Sequence, residues 1–123
     1  MAKVKPNWEK RKRRLILTEN ALVLVTIYLM ESGRVGNYSS IGKQDVVNEA
    51  GRLYGLSNKT VLKAIELLRE KGLVEIVEEH KFPFKSKLKL TDLGRKIAVF
   101  LAEVERLMPS SGSYPELLAG VKH

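Results

Sequence analysis

Hydrophobic positions along the chain fall into blocks of different period, and each block predicts an element. From Ala21 to Met30 almost every residue is apolar, which suits a helix buried on more than one side. The Val and Ile content would also allow a strand, but the length and two end signals favour a helix. Thr18 can cap its start, with Glu19 in the first turn, and Ser32–Gly33 can close it. Gly36-Asn37-Tyr38-Ser39-Ser40 reads as a loop. A second helix is expected over residues 43–54, with Val46, Val47, Ala50, Leu53 and Tyr54 as its apolar set and Gly55 at its end. Ser57 then caps a third, in which Val61, Ala64, Ile65 and Leu68 recur at i, i+3, i+4 and i+7. Lys71-Gly72 closes it.

The period then changes to two. Residues 73–78 are strand-like, and Lys87-Leu88-Lys89-Leu90 alternates as a half-buried return strand. The segment from His80 to Ser86 joins them as a hairpin loop, with Phe82 and Phe84 expected to pack back on the domain. Thr91-Asp92 caps a fourth helix running to about Met108, and Pro109 to Ser113 stops it. In that helix Leu93, Ile97, Phe100, Val104 and Leu107 follow a 4-3-4-3 spacing, with Leu101 and Met108 widening the stripe. One small domain cannot cover so wide a stripe together with an all-round apolar first helix. Pairing two chains through these helices would bury both.

The junction of the second and third helices is the most informative stretch. Helices crossing steeply in a helix-turn-helix tolerate only small side chains at their contact. Ala50 and Gly51 supply them, although glycine costs about 0.8–1 kcal/mol relative to alanine in a helix interior. Gly55 supplies the turn, Leu56 plugs the corner, and Val61 with Ala64 anchors the next helix.

Charge adds direction to this picture. The chain carries 22 Lys and Arg against 14 Asp and Glu, a net charge of +8, which suits a polyanionic partner. Lys3, Lys5, Lys10, Arg11, Lys12, Arg13 and Arg14 face only Glu9 in the first 17 residues. A basic arm of this kind keeps a protein in solution or enters a minor groove, and Trp8 can anchor it. Whether it is helical or flexible stays open. The chain has no Cys, which removes disulfides, thiolate metal sites and cysteine nucleophiles together. No apolar run spans a bilayer, and no leader of the secretory type is seen. A cytoplasmic protein without membrane contact is the expectation.

The phrases Leu68-Arg69-Glu70-Lys71-Gly72-Leu73-Val74-Glu75 and Lys89-Leu90-Thr91-Asp92-Leu93-Gly94-Arg95, in this order, resemble winged-helix transcription regulators of the MarR and PadR type. The resemblance covers about residues 16–108. It implies a mainly α fold with a small β-hairpin wing, that is, a winged helix-turn-helix with a long C-terminal helix. The divisions expected are a basic arm (1–15), a winged-helix DNA-binding domain (16–91), a dimerisation helix (92–108) and a loose tail (109–123).

The resemblance also implies that the third helix enters the major groove of double-stranded DNA. Its outward residues would be Ser57, Asn58, Lys59, Leu62, Lys63 and Glu66. Asn58 suits an adenine edge, Lys59 and Lys63 suit guanine or phosphate, and Ser57 and Thr60 lie where phosphate contacts form. Glu66 marks the edge of the footprint or accepts from a cytosine. Lys81, Lys85, Lys87 and Lys89 place charge on and beside the wing, for backbone or minor groove, although Glu78 and Glu79 oppose it. Arg11, Lys12, Arg13 and Arg14 complete the DNA-binding set, and Leu93, Ile97, Phe100, Leu101, Val104, Leu107 and Met108 form the homodimer contact.

Enzymatic signatures are missing. GxxxxGKS/T, HExxH, GxGxxG and Cys/His metal spacings do not occur, and His80 and His123 have no partners in sequence. The expectation is a non-enzymatic, cofactor-free DNA-binding regulator acting as a homodimeric repressor, with no residue that identifies a small-molecule effector. Two other uses of such a fold are a protein–protein adaptor and an architectural protein binding duplex without sequence preference.

Overall fold

The computed structural model describes residues 17–78 and 86–108. Helix α1 (Glu19–Glu31) is followed by α2 (Lys43–Tyr54), α3 (Asn58–Glu70), strands β1 (Val74–Glu78) and β2 (Ser86–Leu90), and helix α4 (Asp92–Leu107). These are the elements that the hydrophobic periods predict, with ends differing by a residue at most. The expected Thr18 cap forms, its hydroxyl accepting from the Ala21 amide at 3.2 Å.

Helix α1 is the central element, packing against α2, α3, α4 and β2. Every residue from Leu22 to Ile27 is buried, so the all-round apolar pattern does report burial on several sides. Thr26 lies within this run, and its hydroxyl donates to the Leu22 carbonyl at 2.7 Å. A buried polar group is thereby satisfied inside the helix itself.

Strands β1 and β2 pair antiparallel, with Val74 opposite Leu90 and Ile76 opposite Leu88. These four turn toward the core, while Glu75, Val77, Lys87 and Lys89 face out. The sheet has one further partner that periodicity does not show. Ile41, just before α2, bridges Leu88 on the other side of β2, and the Leu88 amide donates to its carbonyl at 2.8 Å. A single buried Ile after a Gly/Ser loop is too short a signal to read as a strand.

Two side chains fasten the helices to the hairpin. The Glu31 carboxylate, at the end of α1, accepts from the Leu90 amide at 2.8 Å and from Arg95 at 3.3 Å. Thr91 caps α4 by accepting from the Gly94 amide, and its hydroxyl donates to the Gly72 carbonyl at 2.7 Å. Beside it, Gly94 is pressed against the Leu73 backbone. A Cβ built on Gly94 would stand 1.9 Å from the Leu73 oxygen, so only glycine fits this approach. Gly51 behaves differently from expectation. A Cβ there would meet the Leu56 carbonyl at an ordinary 3.5 Å, so the space at Gly51 does not demand glycine, while Ala50 beside it is fully buried.

Candidate nucleic-acid interface

Helix α2, the turn and α3 form the expected helix-turn-helix. Gly55 ends α2 with φ at 71°, its amide donating to the Gly51 carbonyl at 2.9 Å. That left-handed turn suits glycine, which has no Cβ to clash. Buried Leu56 fills the corner, and Ser57 caps α3 by accepting from the Thr60 amide at 3.2 Å. The Ser57 hydroxyl donates in turn to the Thr60 hydroxyl oxygen at 2.9 Å. Val61, Ala64, Ile65 and Leu68 are buried, and they fix α3 on the core by one face.

The opposite face is exposed and charged. At 3.6 residues per turn, Lys59, Lys63, Glu66 and Glu70 fall within about 60° of one another, directly opposite the buried set. Charge is divided along this face: both lysines lie in the first half of the helix, both glutamates in the second. Neither Lys59 nor Lys63 takes part in an ion pair among the described residues. Glu66 is engaged. Arg69 grips its carboxylate through two nitrogens, at 3.1 and 2.8 Å, and Lys43 at the start of α2 approaches to 3.9 Å. The Arg69 hydrogen bonds hold the Glu66 carboxyl below the usual carboxylate range, and the Arg69 and Lys43 charges add to this. Glu66 therefore stays anionic and already paired. This confines the cationic part of the face to the first two turns of α3 and the residues beside it.

The start of α2 adjoins the same region. The Gly42 amide donates to Asp45 at 2.9 Å, and Gln44 donates to Asn48 at 3.0 Å along the exposed edge of α2. The loop before it is tied down by Tyr38, whose hydroxyl donates to Glu49 at 2.6 Å. Glu49 is also bound by Arg52, with Nη2 at 2.8 Å and Nε at 2.9 Å. The Tyr38 hydrogen bond and the Arg52 contacts hold the Glu49 carboxyl below its ordinary value, against the opposing effect of burial. The same bond raises the Tyr38 phenol to about 12. Sequence reasoning missed this cluster, because a buried Glu on a helix of otherwise ordinary amphipathicity leaves no trace in periodicity.

The remaining expected contacts divide between described and undescribed residues. Lys87 and Lys89 lie on the exposed face of β2, where they line an open cleft of about 510 Å³ with Ser39, Ser40 and Glu31. Arg11, Lys12, Arg13, Arg14, Lys81, Lys85 and the Phe82–Phe84 pair lie outside the described residues. On α4, Leu93, Phe100, Leu107 and Met108 of the expected dimer stripe are exposed, and so is Val99, which the stripe did not include. Ile97 and Leu101 are half-buried against the protein's own core, with Val104 also half-buried. The stripe therefore serves two surfaces, one internal and one open.

No protein-family model matches the chain, and no curated protein matches it in sequence. Solved structures do. The F-93 protein of SSV1 superposes with a TM-score of 0.58 at 22% identity, over 75% of this chain and 90% of that one. The protein AF1382 of Archaeoglobus fulgidus gives 0.56 at 21%, over 76% and 92%. A mutant MepR from a multidrug-resistant S. aureus clinical isolate gives 0.52 at 15%, over 94% and 73%. The fold is a winged helix. In this winged helix α3 is the second helix of the helix-turn-helix and the β1–β2 hairpin is the wing. Among the described residues no helix is long and apolar enough to cross a membrane, and no group of His, Asp and Glu could hold a metal ion.

Proposed function

We propose that this chain is a homodimeric regulator of transcription that binds double-stranded DNA in a sequence-specific manner and represses by occupying its operator. The observation that carries this reading is the exposed face of α3. It presents Asn58, Lys59 and Lys63 in its first two turns, with neither lysine held in an ion pair. Cations outside ion pairs and an amide on the solvent face of a helix are what phosphate attraction and base-edge pairing require. The wing lysines and the basic residues 10–14 add backbone or minor-groove contacts in the same reading. MepR, whose fold this chain shares, is a transcription regulator of a multidrug efflux pump in Staphylococcus aureus. The open apolar patch of α4 supports pairing of two chains, which would present two copies of α3 to a two-fold symmetric site.

Binding to random duplex DNA and to the protein's own upstream region, measured over a salt series, tests the proposal. Tighter binding to one duplex, with a log–log salt slope equivalent to several released counterions, is the expected result. Equal, salt-sensitive binding to every duplex would replace sequence-specific regulation with an architectural role. No binding at low salt would leave the protein–protein adaptor as the account of this fold.

A further inference from the structure

One residue on the exposed face of α3 does not fit a purely electrostatic surface. Leu62 is 43% exposed, and among the described residues it is the only large hydrophobic side chain of α2 or α3 left open to this degree. Its neighbours along the helix surface are polar: Asn58 at i−4, Lys59 at i−3, Lys63 at i+1 and Glu66 at i+4, all exposed. A lone leucine ringed by charge is too small a patch to dock a protein. The contrast is α4, where Leu93, Val99, Phe100, Leu107 and Met108 stand open together. Leu62 lies between the outward lysines and the Asn58 edge of the helix, so a helix seated in a groove through Lys59 and Lys63 carries Leu62 in with it.

We infer that Leu62 is a specificity-determining residue that packs on the 5-methyl group of a thymine in the major groove. This rests on the DNA-binding reading above and deepens it. The floor of the major groove is polar at every base pair, and the thymine methyl is its one apolar feature. An isobutyl group in the groove opposite any other base would cover donors or acceptors without pairing them. Leu62 thus selects a thymine by apolar contact, while Glu66, four residues on, is already held by Arg69 and Lys43.

The experiment first selects a preferred duplex from a random library with the wild-type protein. Each thymine of that duplex is then replaced singly by deoxyuridine, which pairs identically and lacks only the 5-methyl group. Wild type should lose affinity about fourfold at one thymine in each half-site, the value for one buried methyl-sized group. Leu62→Ala should bind the thymine duplex correspondingly less tightly and show no change on the uracil exchange at that position. Its thermal unfolding should match wild type, since the side chain is open and alanine is a good helix former. A wild type indifferent to uracil at every thymine, or a Leu62→Ala variant as sensitive as wild type, overturns the inference and leaves DNA binding intact. A library that yields no preferred duplex overturns the inference together with sequence-specific regulation.

Discussion

Alanine in place of glycine should have opposite effects at the two positions where this fold places glycine inside a helix. At Gly51 a methyl group meets only the Leu56 carbonyl at 3.5 Å. Gly51→Ala should therefore gain the helix-propensity difference, up to about 1 kcal/mol. At Gly94 the same methyl group would stand 1.9 Å from the Leu73 oxygen and 2.8 Å from its carbonyl carbon, both backbone atoms. Relief requires the first turn of α4 to move off the start of the wing. That movement breaks the Thr91 amide bond to the Leu73 carbonyl, 3.1 Å, and the Thr91 hydroxyl bond to Gly72, 2.7 Å. Two hydrogen bonds at about 1 kcal/mol each, with overpacking of about 1–3 kcal/mol, outweigh the propensity gain. The net loss is about 2–4 kcal/mol. Urea unfolding followed by circular dichroism, at one fixed protein concentration because pairing of chains adds to stability, measures both variants. In thermal melts the Gly94→Ala loss should lower Tm by at least about 10 °C for a domain of this size. A Gly94→Ala protein as stable as wild type would refute the packing of α4 on Leu73.

Further outcomes follow from the other contacts. Tyr38→Phe should cost about 1.5 kcal/mol at neutral pH, the value of a hydrogen bond to a charged group. Because the folded state holds the Glu49 carboxyl below its ordinary value, its contribution is present above the unfolded carboxylate pKa and is lost as pH falls through the folded one. The Tyr38→Phe penalty should therefore shrink in acid, and a penalty that stays constant as pH falls through and below the ordinary carboxylate range would contradict the assignment. At the alkaline end the phenol is raised to about 12, so the stabilisation by neutral Tyr38 is complete below about pH 10 and fades as pH rises toward 12. Ultraviolet titration of the Tyr38→Phe variant should lack a component near 12 that wild type shows. Phe100→Asp, at a side chain 71% exposed, should leave the circular dichroism spectrum unchanged and convert a sedimenting dimer to a monomer. A monomeric wild type, or a variant still dimeric, counts against α4 as the pairing surface.

The legible parts of this molecule are those in which one physical rule acts alone. The apolar run of α1, the i, i+3, i+4, i+7 set of α3 and the alternation of β2 each reflect a single boundary between core and solvent, so they read directly from sequence. Caps are local as well: Thr18, Ser57 and Thr91 each bond an amide three residues on. Contacts set by distant backbone are illegible. Nothing around Gly94 announces Leu73, and nothing at Ile41 announces Leu88, because each pairing is decided by how α1 and the hairpin dock. The need for glycine at Gly51 was overread for the same reason, since the room left there for a Cβ is set by where the Leu56 carbonyl comes to lie. At the candidate interface Asn58, Lys59 and Lys63 were found where helical periodicity puts them. The engagement of Glu66 by Arg69 and Lys43 needed the docking of α2 beside α3.

The central claim is that the first two turns of α3 lie in a major groove, and methylation interference tests it most directly. A duplex selected by the wild-type protein is methylated at guanine N7, which lies in the major groove, and at adenine N3, which lies in the minor groove, and bound and free fractions are compared. N7 methylation should exclude DNA from the complex at two sets of positions about one helical turn apart, and Lys59→Ala/Lys63→Ala should abolish binding to the unmodified duplex. Undiminished binding by that variant, with interference confined to adenine N3 in the minor groove, would contradict the account.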